Sequence, residues 1–172
     1  MRKIFLTIVM IMLAAHYVDA AEQEREANNK KLEVAQAALD ATSKHGLTIL
    51  QSAISDTSKY TEGTGFKITI GNPSAKSIRY VSFTVIGYNA VNDPVLDPIK
   101  LTTEITVSGI GPINKNESMT YDWEYMWHTD LVERYKIKEI KLQYMDGSKR
   151  TIKNISEITL SEQDYETIYG NN

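Results

Sequence analysis

Tyr121-Asp122-Trp123-Glu124-Tyr125-Met126-Trp127-His128 gathers both tryptophans of the chain, three carboxylate or imidazole side chains and two tyrosines into one short stretch. If the stretch is a strand, its side chains alternate between two faces. Tyr121, Trp123, Tyr125 and Trp127 then share one face, and Asp122, Glu124, Met126 and His128 share the other. An exposed row of four rings could stack on sugar rings or on a partner's apolar side chains. Aromatic side chains also bury large areas and dominate cores, and the charged residues on the opposite face suit the solvent side. The spacing therefore predicts a core-facing row, with the ring platform as the alternative.

Other groups could do chemistry only with help from the fold. His128 with Glu124 and Asp130 contains the side chains of a metal or acid–base site. Along a strand, however, Glu124 and His128 stand about 13 Å apart, too far to share one ion. Asn89, Asn92, Asp93 and Asp97 crowd a proline-containing loop with oxygen ligands of the kind calcium takes. The same residues are what turns are made of, and the alternating Asp/Asn pattern of a helix–loop–helix calcium site is absent. Arg134, Lys136, Lys138, Lys141, Lys149, Arg150 and Lys153 could meet an anionic partner, or could guard a sheet edge against pairing with another chain. Asn116-Glu117-Ser118 and Asn154-Ile155-Ser156 fit the N-glycosylation pattern, which matters only in a host that glycosylates its exported chains.

Composition removes several classes of function. The chain has no cysteine, so it lacks a thiol nucleophile, a thiolate metal site and disulfides. No Gly-x-Ser-x-Gly elbow and no phosphate-binding glycine loop is present. The net charge of −3 argues against a nucleic-acid footprint, which needs a basic domain. These readings predict a protein that is not an enzyme and needs no cofactor or metal.

The elements that must position these residues fall into two parts. Arg2 and Lys3 precede an apolar run from Ile4 to Ala15, and Val18-Asp19-Ala20 supplies a small-residue cleavage site. This is the pattern of a secretory signal peptide, residues 1–20, with cleavage near Ala20/Ala21 and a periplasmic or secreted product. The run of about 12 residues is short for a spanning helix, which needs about 20, and the mature chain offers no other span. Residues 21–46 read as a helix. Acidic residues lie at its start and Lys44 at its end, as the helix dipole favours, and Gly46 stands where a left-handed cap belongs. Leu32, Ala35, Leu39 and Thr42 form a narrow seam with fewer than two clean heptads. That predicts a helix packed on its own domain in a monomer, not a self-association stalk.

From residue 47 to 160 the pattern is β. Strands are expected over Leu47–Ile54, Gly65–Gly71, Ile78–Val91, Leu101–Ile110, Met119–His128, Lys136–Met145 and Ser148–Asn154. The longest, Ile78–Val91, is expected to be central and covered on both faces. Asp146-Gly147 marks a tight hairpin. Val81, Phe83, Val85, Ile105 and Trp123 are the expected core. About seven strands with turns between them and no interleaved helices predict an antiparallel sandwich of two sheets, followed by a polar tail over 161–172.

The segment Gly65 to Asp93 carries a resemblance. Asn72-Pro73-Ser74 ends one strand, Lys76 follows, and the next long strand ends in Tyr88-Asn89. Gly111-Pro112-Ile113 to Glu117-Ser118 then precedes the aromatic strand. This arrangement resembles the FxLYD-type, immunoglobulin-like domains of bacterial exported envelope proteins. The naming motif is represented here by Val85-Ile86-Gly87-Tyr88-Asn89, in which Tyr88 is the matching residue. The resemblance implies an immunoglobulin-like sandwich in a cell-envelope setting and implies no active site. The expected function is thus an exported, non-enzymatic β-sandwich module that binds a protein or glycan of the envelope or plays a structural part there. The alternative is a glycan-binding or small hydrolytic domain built on the Tyr121–Trp127 strand with His128 and Glu124.

Overall fold

In a computed structural model the backbone is described for residues 2–56 and 63–169, and the side chains for residues 21–55 and 63–168. Helix α1 runs over Arg2–Ser43. It starts upstream of the expected residue 21, because no glycine or proline occurs between Arg2 and Ser43 to interrupt it. At 1.5 Å per residue it is about 63 Å long. The side chains of the apolar run Ile4–Ala15 lie outside the described residues. From Ala21 to Val34 the side chains are exposed, and among the described side chains of the helix those of its last turns touch the domain, through buried Ala35 and Thr42 and half-buried Ala38 and Leu39. Of the seam, Ala35, Leu39 and Thr42 thus pack on the domain, while Leu32 stays exposed. Gly46 ends the helix with a φ of 76°, a conformation that glycine adopts without steric penalty. Thr42 and Thr48 then bond hydroxyl to hydroxyl across the corner.

Seven strands follow: β1 Thr48–Asp56, β2 Thr64–Gly71, β3 Ile78–Tyr88, β4 Glu104–Ile113, β5 Ser118–Trp127, β6 Arg134–Tyr144 and β7 Lys149–Ile152. They form two antiparallel sheets, β1-β2-β5 and β4-β3-β6-β7. The Asp146-Gly147 turn joins β6 to β7, with Gly147 at positive φ. β4 continues past the expected end at Ile110, through a cis Gly111–Pro112 bond, to Ile113.

Alternation along β2 places Phe66, Ile68 and Ile70 inward, where they meet Val81, Phe83 and Val85 of β3 and Ile105 of β4. All these side chains are buried. β3 is central, as expected, but it is covered on one face only. Tyr80 is exposed with Arg79 over its ring, and Ile86 and Tyr88 are half-buried. A two-layer sandwich has no third layer to cover an outer face.

The turn that carried the family resemblance is a structural knot. Asn72 is buried, and its amide donates to the carbonyls of Lys76 at 2.9 Å and Ile113 at 2.8 Å. Its side-chain oxygen accepts from the amide and hydroxyl of Ser74. Lys76 reaches Asp146 at 2.7 Å, so one end of both sheets is tied together. The polar stretch 161–172 contains a helix, α2 over Glu162–Tyr169, which packs beside α1. Ser161 opens it by accepting from the amide of Asp164, a standard N-cap contact. Among the described residues no helix is long and apolar enough to cross a membrane.

Candidate functional site

The four rings of the aromatic strand do not form an exposed platform. Trp127 is fully buried, and Tyr121 and Trp123 are half-buried against the core. Trp123 stacks on Phe66 at 6.1 Å and meets Phe83 of the opposite sheet edge-on at 5.8 Å. Tyr121 lies on Gly109, where a Cβ would stand 2.3 Å from its ring, and it donates its hydroxyl to the Ile110 carbonyl. Only Tyr125 is largely exposed. The strict two-face reading fails beyond Trp123. Across the pairing, β5 advances from Trp123 to Trp127 while β2 retreats only from Phe66 to Thr64. The resulting bulge turns Met126 and Trp127 both inward. Trp127 therefore offers no ring face to solvent, and Trp123 offers only part of one.

Two of the polar residues singled out in the sequence, Asp97 and His128, meet at the end of the sandwich opposite the Asn72 knot, between the β3–β4 loop (89–103) and the β5–β6 loop (128–133). Asp97, from the suspected calcium loop, is fully buried and pairs with His128, from the suspected acid–base group. One carboxylate oxygen accepts the amides of Ile99 at 3.0 Å and Lys100 at 2.7 Å. The other accepts the amide of His128 at 2.9 Å, and the His128 Nδ1 lies 3.0 Å away. Burial pushes the Asp97 carboxyl up. The bonds from the Lys100 and His128 amides, the His128 ring and the Ile99 amide outweigh it and bring the pKa down to about 2.

The neighbouring polar groups are similarly engaged. Asn89 accepts the amides of Val91 and Asp93 through its side chain. Lys100 Nζ donates to the Met126 carbonyl, and Arg134 donates to the carbonyls of Asn89 and Ala90. Glu124 remains exposed on β5, and His128 has turned to Asp97 instead.

A carboxylate that orients Nδ1 of a histidine is half of a nucleophile-activating triad. Among the described residues no hydroxyl is bonded to the His128 ring, and no cluster of His, Asp or Glu suited to a metal ion is present. The carboxylate is occupied with main-chain amides, so its chemistry here is to hold two loops in one conformation. Among exposed charged side chains, those loops also present apolar ones. Val91 and Leu101 are each 74% exposed, Ile99 is 70%, Leu131 is 61% and Leu96 is 56%. Leu101 also has a φ of 52°, a conformation uncommon for a leucine. Sequence reading missed these side chains because each aliphatic is isolated in a polar loop, with no periodicity to mark it.

No family model matches the chain, and no curated protein matches it. A solved structure described as the X-ray structure of Northeast Structural Genomics Consortium target SoR45 is similar at 11% identity and a TM-score of 0.37, covering 62% of this chain and 80% of that one.

Proposed function

We propose that this chain is an exported, non-enzymatic β-sandwich module that binds a protein partner in the cell envelope through the loop end around Asp97. The observation that carries this reading is the set of five exposed aliphatic side chains, Val91, Leu96, Ile99, Leu101 and Leu131, on loops whose main chain is pinned by a buried carboxylate. A loop free to rearrange would turn such side chains inward. Exposed aliphatics on a fixed frame suit the apolar centre of a protein interface. The rim carries exposed Asp93, Asp130 and Glu133, which favours a partner with basic groups around an apolar pocket. Aliphatic side chains offer a sugar neither a stacking face nor a hydrogen bond, so a protein is preferred over a glycan.

Two further parts of the reading rest on other grounds. Export is supported by the n-region, apolar run and cleavage pattern of residues 1–20. An immunoglobulin-like identity is supported by the strand order, in which β1-β2-β5 faces β3-β6-β7 and β4 lies beside β3. This is the Greek-key arrangement with the fourth strand transferred to the second sheet.

The test is crosslinking in envelope extract with the mature chain and with the Ile99→Asn/Leu101→Asn variant. A partner captured by the first and lost by the second, at unchanged urea midpoint, supports the reading. Equal capture by both removes the loop end. Turnover in a broad hydrolase screen that disappears in a folded His128→Ala variant would replace the module with the hydrolytic alternative.

A further inference from the structure

β6 is the longest strand of its sheet's outer flank, yet it is only partly covered. It spans Arg134–Tyr144, while β7 pairs with it only from Ile140 to Gln143. After Ile152 the chain leaves this sheet. It passes through a single helical turn, Ile155–Glu157, and crosses to the other sheet. There Ile158 and Leu160 bond to both main-chain groups of Ile49, in parallel with β1. The crossing closes the start of β1. It leaves the β6 edge from Arg134 to Glu139 with no strand on its outer side and no main-chain partner there among the described residues.

Beside that edge lies a groove of about 620 Å³ between the two sheets. Ile49, Ile137 and Ile155 give it an apolar floor, and Tyr135 spans it by donating its hydroxyl to Ser52 at 2.7 Å. Lys136 and Lys153 stand at its margin and have no ion-pair partner among the described residues. Glu139, whose charge Lys153 also feels, is held by Lys141 at 2.7 Å.

Main-chain edge groups dictate the form of their occupant: only an extended strand satisfies a row of them. The apolar floor suits alternate β-branched or aromatic side chains, and the unpaired lysines suit carboxylates on the others. We infer that the Arg134–Glu139 edge of β6 takes up an extended acidic segment of a partner polypeptide as an added strand in line with β7. This surface lies on the flank of the sandwich and adjoins the loop end proposed above only at Arg134. Lysines on an edge also discourage pairing with a second copy of the same chain. That favours a partner of opposite charge over self-association.

The experiment titrates the isotope-labelled mature chain with two pools of capped ten-residue peptides. Alternate positions are Val, Ile, Thr or Tyr in both pools; the remaining positions are Glu or Asp in one and Lys in the other. The acidic pool should bind saturably, about tenfold tighter than the basic one, and should slow hydrogen exchange of main-chain amides between Arg134 and Glu139. The Lys136→Glu/Lys153→Glu variant, with its urea midpoint checked, should lose that preference. The inference is overturned if neither pool slows exchange on β6, if both bind equally, if protection maps to β1 instead, or if the chain dimerises along this edge. None of these outcomes bears on the Ile99/Leu101 crosslinking result, so the two readings fail separately.

Discussion

Asp97 is the residue whose removal most directly tests how the loop end is built. Its carboxylate accepts three main-chain amides and faces one imidazole nitrogen, at 2.7–3.0 Å. A hydrogen bond to a charged group contributes about 1.5–3 kcal/mol net, so four counted independently would exceed any reasonable single-residue effect. The bonds are not independent. The loop is at the surface, and once Asp97 is gone water can reach the Ile99 and Lys100 amides and the half-exposed His128 ring. Asp97→Ala should therefore destabilise by about 2–4 kcal/mol, one or two charge-assisted hydrogen bonds' worth once water replaces the rest. Asp97→Asn should cost about 1–3 kcal/mol, because its oxygen can still serve one pair of amides while its NH2 opposes the His128 amide.

The pH dependence follows from the same contacts. The folded pKa of about 2 lies below the unfolded value of about 3.9. The stabilisation is thus fully present above the unfolded pKa and is lost as pH falls through about 4 to 2. It amounts to roughly 2 kcal/mol. Urea unfolding at pH 7 measures the first effect, and a series from pH 6 to pH 2 in wild type and Asp97→Asn measures the second. A loss below about 1 kcal/mol in Asp97→Ala, or identical acid profiles for wild type and Asp97→Asn, would refute the argument that this carboxylate holds the loops.

Phe83, buried between Tyr121 and Trp123, should lose about 3–5 kcal/mol on change to Ala, read from the same urea curves; an unchanged midpoint would contradict the inter-sheet packing. Asn72→Ala strands the carbonyls of Lys76 and Ile113 and should cost about 2–3 kcal/mol, with faster hydrogen exchange at the Ser74 amide, which loses its side-chain acceptor, as its local sign. Removing residues 1–34 should leave the urea midpoint unchanged and the sedimentation mass that of a monomer of the shortened chain, because among the described side chains of α1 the first buried one is Ala35; a dimer lost on truncation would show a stalk instead. Mass spectrometry of the exported protein should find a chain starting at or near Ala21, and an intact Met1 in a membrane fraction would show an anchor.

Local pattern carried much of the architecture because it reports local physics. Alternation at Phe66, Ile68 and Ile70 reflects a pleat with one wet face, Gly46 reflects the absence of a Cβ at positive φ, and Asp146-Gly147 reflects a turn that needs such residues. These were legible without knowing any partner. The bulge in β5 was not, because it depends on how two strands fit together: the sequence shows an unbroken alternation through Trp127, and only pairing with β2 turns Met126 inward. Nor could spacing reveal that β3 would be covered on one face, since an apolar outer residue looks the same whether or not a third layer arrives.

The candidate sites divide in the same way. That the chain lacks a thiol, a phosphate loop and a nucleophile elbow is a property of its residues and needed no coordinates. The partnership of Asp97 and His128 joins groups from separate loops, brought together by two sheets closing over a shared core, and nothing in one loop encodes the other. The open edge of β6 is likewise decided by where the chain crosses after Ile152. Burial, pairing and exposure depend on residues distant in sequence, and tertiary packing alone sets them.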